Sequence, residues 1–227
     1  MNDFKMARRW LDSADAILIS ASNGLSITEG YNIFAYDQAF KDHFQQFHNQ
    51  YGFMNILQGL TYQFPTPEER QVFYSAIFDY MVNNYQVSPV FQDLKALIAD
   101  HAYFIVTSNG DTHFQLSGFN ANSIFEVEGN IYNNQNPIPA IKQQQTRFNS
   151  FIERYQNKNV VVLELGIGAH NQLIKAPLMQ LVAQNSQYKY ITLNLPPEIN
   201  IPTAIGDQSI GLAGSIDKTF KELLKND

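Results

Sequence analysis

Three short apolar runs each empty into a polar turn that carries a glycine, and this repeated junction limits the possible folds more than any other feature of the chain. The runs are Ala16-Ile-Leu-Ile-Ser20, Tyr103-Phe-Ile-Val106 and Val160-Val-Val-Leu-Glu-Leu165. The turns after them are Ala21-Ser-Asn-Gly-Leu-Ser26, Thr107-Ser-Asn-Gly-Asp111 and Gly166-Ile-Gly-Ala-His-Asn171. A strand covered on both faces reads as a continuous apolar run, not as an alternation. Open α/β sheets bind their ligands at the carboxyl ends of such strands. The expected architecture is therefore α/β, a Rossmann-like parallel sheet with helices on both faces.

The segments between these runs fit that frame. Phe4, Ala7 and Leu11 form one helical stripe over 3–13. Thr66 followed by Pro67, Glu68 and Glu69 is a cap, a first-position proline and an acidic first turn, so a helix should run on through Phe73, Ile77, Tyr80 and Met81. Pro89 opens another, burying Val90, Leu94, Leu97 and Ile98. Helices are also expected at 147–156, 176–185 and 216–224, with further strands at 123–127, 190–194 and 209–212. Residues 37–88 stand outside the strand–helix alternation as an aromatic-rich helical insertion. Residues 133–146 are polar and punctuated by proline, and read as a loop or as a reduced small lobe over about 130–146. The 227 residues are read as one domain carrying these two additions.

Composition removes several function classes. The net charge is −6 with no basic block, which argues against a nucleic-acid partner, because that binding draws on clustered Lys and Arg. There is no cysteine, so disulfides, thiol catalysis and a thiolate zinc site are excluded. The five histidines lack the spacing of a zinc-binding helix, and no metal site is expected. Neither a signal peptide nor a membrane-length apolar stretch is present, which makes a cytoplasmic protein without a membrane partner the expectation.

The order of these pieces resembles the sirtuin family, and more narrowly its macrodomain-linked microbial branch, class M. The resemblance spans about 14–224. It is carried by Ala14-Asp-Ala-Ile-Leu-Ile19 with Gly24-Leu-Ser26, by Tyr51-Gly-Phe53, and by Tyr103-Phe-Ile-Val-Thr-Ser-Asn109 with Asp111, Phe114-Gln115 and Gly118-Phe119. Leu163-Glu-Leu-Gly-Ile-Gly168 and Ala183-Gln-Asn185 complete it. Sirtuins hold NAD at the edge of a parallel sheet and expel nicotinamide through an oxocarbenium-like ribose. They then deliver ADP-ribose to an acyl-lysine or a side-chain nucleophile. Class M members resemble ADP-ribosyltransferases more than deacylases.

The resemblance assigns roles residue by residue. Ser20, Ala21, Ser22, Gly24 and Ser26 should approach the NAD phosphates, although the family has glycine where Ser20 and Ser22 stand. Those two hydroxyls either donate to phosphate or narrow the approach. Phe34, with Gly30, matches the spacing of the family's flexible lid, without the acid and arginine that normally flank it. Thr107, Asn109 and Asp111 fall at the nicotinamide end and its ribose. By itself, Asn109-Gly110 is equally a tight turn.

Glu128 stands where deacetylases carry a histidine base and class M a glutamine. A carboxylate there can stabilise a cationic ribose or act as a base. Its neighbour Glu126 also allows an ordinary exposed edge strand. Gly166, Gly168, Asn171 and Asn194 should line the adenosine side. Glu164 is either a paired buried acid or a sheet-edge residue, and His170 either a ligand contact or a solvated loop histidine. Asn109, Asp111 and Glu128 are thus the expected catalytic set, NAD the expected substrate, and a zinc lobe is not expected.

The resemblance allows three functions: a protein ADP-ribosyltransferase with a protein acceptor, a non-catalytic sensor of NAD or ADP-ribose, and an NAD glycohydrolase.

Overall fold

β1 (Ala16–Ala21), β2 (Ala102–Thr107), β3 (Ile124–Glu126), β4 (Val160–Leu165), β5 (Lys189–Asn194) and β6 (Ser209–Ala213) make one sheet in the computed structural model, which describes residues 3–133 and 137–225. Every pairing is parallel and the order is β3-β2-β1-β4-β5-β6. β1 and β4 are buried at every residue, as their unbroken apolar runs require. Ala16 pairs with Ala102 and Val160, and Ala21 with Thr107 and Leu165. The three central strands therefore end level, and their glycine-bearing turns leave the sheet side by side. The strand order reverses between β1 and β4, where open α/β sheets form their binding crevice.

The helices are α1 (Asp3–Asp12), α2 (Asn23–Glu29), α3 (Gln38–Tyr51), α4 (Ile56–Leu60), α5 (Pro67–Phe78), α6 (Pro89–Ile98), α7 (His113–Leu116), α8 (Ile138–Tyr155), α9 (Lys175–Ala183) and α10 (Ile216–Leu224). Side chains of a strand alternate between faces, and the core divides accordingly. Ile17, Ile19 and Ala21 pack with Leu11 of α1, Leu25 of α2, Leu94 of α6 and Phe220 of α10. Ala16 and Leu18 face the other way, against Leu178 and Val182 of α9 and the half-buried Phe148, Phe151 and Ile152 of α8.

The insertion has an aromatic core of its own. Phe40, Phe44, Phe47, Phe53, Phe73 and Tyr80 pack together, with Phe47 edge-on to Phe73 at 4.9 Å. Its helices begin where caps dictate: Asp37 accepts the Phe40 amide and Thr66 the Glu69 amide. After Phe78 the helix widens into a π-turn, Asp79–Asn83, in which the Asn84 N–H reaches back to the Asp79 carbonyl at 2.9 Å.

Two expectations are corrected. Residues 138–146 are not a loop. They form the first half of the 18-residue α8, with proline in its first turn, where a missing N–H costs nothing; residues 134–136 lie outside the described residues. β3 is the edge strand of the sheet but is not exposed: all three of its residues are buried, and the Glu126 amide donates to the Gln144 side chain of α8. Among the described residues no helix is long and apolar enough to cross a membrane.

Candidate functional site

A cavity of about 300 Å³ opens at the carboxyl ends of β1 and β2. Its floor comes from the turns after those strands, including Ser26, Ser108, Asn109 and Asp111, and Glu128 joins it from the turn after β3. Its roof comes from the insertion, through Ile56, Leu60, Ile77 and Met81. Among the described residues no Lys or Arg lines it, and its carboxylates are those of Asp111 and Glu128.

The floor is a relay of hydrogen bonds. The Asn109 N–H donates to Thr107 Oγ1 at 3.0 Å, which turns the residue inward after β2. Asn109 Nδ2 donates to the Ser22 carbonyl at 3.2 Å and to Ser26 Oγ at 2.9 Å. The Ser26 hydroxyl in turn donates to Asp111 Oδ2 at 2.8 Å. The other Asp111 oxygen accepts the His113 N–H at 2.9 Å. Among the side chains that line the cavity, Asn109 has an atom outside the relay: its Oδ1 is buried and has no partner, and Thr112 Oγ1, next to the cavity wall, is likewise buried without one. A buried acceptor without a donor is costly, and a ligand N–H or O–H would satisfy it. Thr112, between Asp111 and His113, has φ +64°, the left-handed region that a β-branched residue rarely enters.

Below this relay lies a second carboxylate, one to which the sequence pattern assigns no role. Glu126 is 1% exposed. It accepts from Gln115 at 2.7 Å, Asn130 at 2.7 Å and Gln144 at 2.9 Å. Three neutral amides thus carry a buried charge and fix the turn that presents Glu128. Glu128 itself is exposed at the cavity mouth.

The turns at the switch point are closed upon each other. Gly24 donates its amide to the Gly166 carbonyl at 3.1 Å, and Gly166 donates to Leu193 at 3.1 Å. A Cβ on Gly24 would lie 2.6 Å from Gly166 Cα, and Gly166 has φ +62°. These glycines allow two backbones to meet; their amides are not free for a ligand. Ser20 is buried inside β1, and Ser22 Oγ is paired with Ser108 Oγ at 2.9 Å.

Asn171 Oδ1 accepts the amides of Leu173, Ile174 and Lys175, so it organises the entry to α9. Asn194 donates to the Ile167 carbonyl at 2.8 Å and accepts from Leu195. Next to the exposed Gly168, the Ala169 amide is taken by the Glu198 carboxylate at 2.7 Å. Phe34 is exposed and is not among the cavity's lining residues. The expected binding set therefore divides. Ser26, Asn109, Asp111 and Glu128 come together, whereas Gly24, Gly166, Asn171 and Asn194 are engaged in bonds between the chain's own loops, and the Ser20 hydroxyl is buried in β1 without a partner.

Glu164 is the paired buried acid of the two alternatives. Lys175 Nζ lies 2.9 Å from it, Thr192 donates at 2.8 Å, and Tyr190 makes a further short bond. Lys175 also reaches the carbonyls of Ile167 and Glu198, pinning the loops after β4 and β5 together. Burial first, and then the Glu164 charge, push the Tyr190 phenol far above its ordinary range.

Comparison with known proteins supports the fold read from the strand ends. A curated relative from Staphylococcus aureus (strain Mu50 / ATCC 700699), named protein ADP-ribosyltransferase, is 24% identical over 281 aligned positions, covering 98% of this chain and 87% of its own. Among solved structures, one from work on the structural basis of sirtuin substrate affinity matches with a TM-score of 0.62 at 15% identity, covering 97% of this chain and 98% of that one. Sir2 bound to an acetylated peptide matches with a TM-score of 0.58 at 16% identity, over 99% and 98% of the two chains. A Sir2–p53 peptide–NAD+ complex gives 0.56 at 16% identity, with the same coverage. No family model matches. The chain thus has a sirtuin-like α/β fold.

Proposed function

We propose that the chain binds NAD with its nicotinamide riboside end in the cavity and transfers ADP-ribose to a protein side chain. The observation that carries this reading is Asn109 Oδ1, a buried acceptor without a donor, set beside the Asp111 carboxylate in a cavity that no Lys or Arg lines among the described residues. A carboxamide N–H or a ribose hydroxyl completes the Asn109 acceptor. A cationic pyridinium suits walls whose formal charges are negative. A volume near 300 Å³ suits a nicotinamide riboside better than a whole dinucleotide.

In the reaction the bond from ribose C1′ to the pyridinium nitrogen breaks, and its electron pair returns to the ring, which leaves as neutral nicotinamide. Positive charge grows on the ribose, and the cavity-lining carboxylates of Asp111 and Glu128 stabilise it. Glu128, exposed at the mouth, is placed to take the proton from an incoming nucleophile as the new bond to C1′ forms. The name of the Staphylococcus aureus relative supports a protein acceptor.

A second reading, a non-catalytic sensor, is favoured by the opposite end of the crevice. There Glu198 occupies the Ala169 amide, and Gly24 closes on Gly166. Nicotinamide release from NAD, measured with and without a protein acceptor, decides between them. Transfer predicts release together with label on the acceptor. Release with unlabelled protein would mean hydrolysis. Saturable binding of ADP-ribose with no release would overturn the enzymatic reading.

A further inference from the structure

His113 sits between the floor of the cavity and its roof, and nothing in the sequence pattern assigns it a role. Its ring is 1% exposed. Nδ1 lies 3.0 Å from Glu29 Oε2, and Nε2 lies 3.0 Å from the Met81 carbonyl. Neither partner brings a proton in its usual state: one is a carboxylate, the other a backbone oxygen. A neutral imidazole has a single N–H and would leave one of the two facing a bare lone pair. Only the imidazolium satisfies both.

The remaining surroundings suit a cation. Asp111 Oδ2 is 3.9 Å from Nδ1. Tyr85 stacks on the ring at 4.0 Å between centroids, and Tyr31 meets it edge-on at 4.5 Å. Glu29 is itself completed by Tyr85 and Ser88, which both donate to its Oε1. These groups come from α2, the loop after it, the segment after the π-turn and the residue's own loop. No Lys or Arg pairs with Glu29 or Asp111 among the described residues, which leaves the ring as their ion-pair partner.

We infer that His113 is a positioning residue: held as an imidazolium, it ties the Asp111 loop at the cavity floor to the Met81 carbonyl in the roof, and so sets the cavity's shape. Its bearing on turnover rests on the proposed NAD reading; its state and its link to the roof do not. Burial works against the charged ring, and the bonds from Glu29, the Asp111 charge and the Met81 carbonyl overcome it, so the ring's pKa stands above its ordinary value. Above that pKa the second N–H is lost, one tie breaks, and the roof is released.

The test is a pH titration by nitrogen NMR of the ring, with the Met81 methyl and the Asp111 amide followed in parallel, and NAD affinity measured over the same range. The expected result is a doubly protonated ring at pH 7 and a joint titration of all three signals. NAD affinity should fall on the alkaline side through the same midpoint. In Glu29→Gln, whose amide can donate to Nδ1, the ring should titrate at least about one pH unit lower, and the alkaline fall should move with it. His113→Gln should fold and lose that pH dependence. A ring with one proton at pH 7, or a Met81 signal indifferent to its titration, overturns the inference. If the three signals move together but NAD never binds, the link between floor and roof stands and the NAD reading falls.

Discussion

Asn109 shows how a turn residue comes to matter. In the sequence it belongs to an Asn-Gly turn, and a loop position suggests that its removal would leave the fold untouched. In the structure its amide bridges the first and second strand-end turns through Ser22 and Ser26. Asn109→Ala should therefore abolish nicotinamide release and also lower stability by about 1–3 kcal/mol, because two buried partners lose a donor. Urea denaturation measures the second effect and an NAD cleavage assay the first. Unchanged stability would mean that the relay on the floor is not formed. The other critical residues of this region are not legible in the sequence, for a physical reason. Glu29 lies 84 positions from His113, and Glu126 takes its donors from Gln115, Asn130 and Gln144, so only the parallel pairing of β1, β2 and β3 brings these surroundings together.

At the scale of elements, the strand ends are readable because burial on both faces leaves an unbroken apolar run. Their glycines suggest ligand contacts, whereas Gly24 and Gly166 in fact let the turns after β1 and β4 touch. Gly24→Ala would drive a methyl to 2.6 Å from Gly166 Cα and carbonyl oxygen. Both obstacles are backbone and neither can rotate away, so the loss should be about 3 kcal/mol in urea denaturation. A variant as stable as the parent would show that the turns are further apart.

Lys175→Met tests the neighbouring pin. It leaves Glu164 buried without its cation and should cost about 3–5 kcal/mol, reduced in part by the donors from Tyr190 and Thr192. A loss under about 1 kcal/mol would count against the pair. The first half of α8 reads as loop in the sequence because its prolines and glutamines resemble a linker. Yet proline in a first turn is a start signal, and Ile141, Phe148, Phe151, Ile152 and Tyr155 supply the stripe that packs on the sheet.

For the whole molecule, the buried His113–Glu29 pair makes stability depend on pH. The ring's pKa is raised on folding, so its contribution is full below the ordinary value of 6.5 and is lost as pH rises through the higher folded value. Thermal unfolding followed from neutral to alkaline pH should show a falling Tm over that window. Glu29→Gln should show the fall at lower pH or not at all. A Tm that rises across the window in the parent would contradict the charged ring.

The π-turn Asp79–Asn83 gives the insertion an unusual sensitivity to length. A π-turn holds one residue more than an α-turn, and here Tyr85 bonds to Val82 while the Met81 oxygen goes to His113. Deleting a single residue from this stretch would rewind it into ordinary helix and swing the chain beyond Asn84 by about 100° around the axis. Surface loops tolerate added or lost residues at little cost, whereas here one residue fewer would carry the Met81 oxygen away from His113.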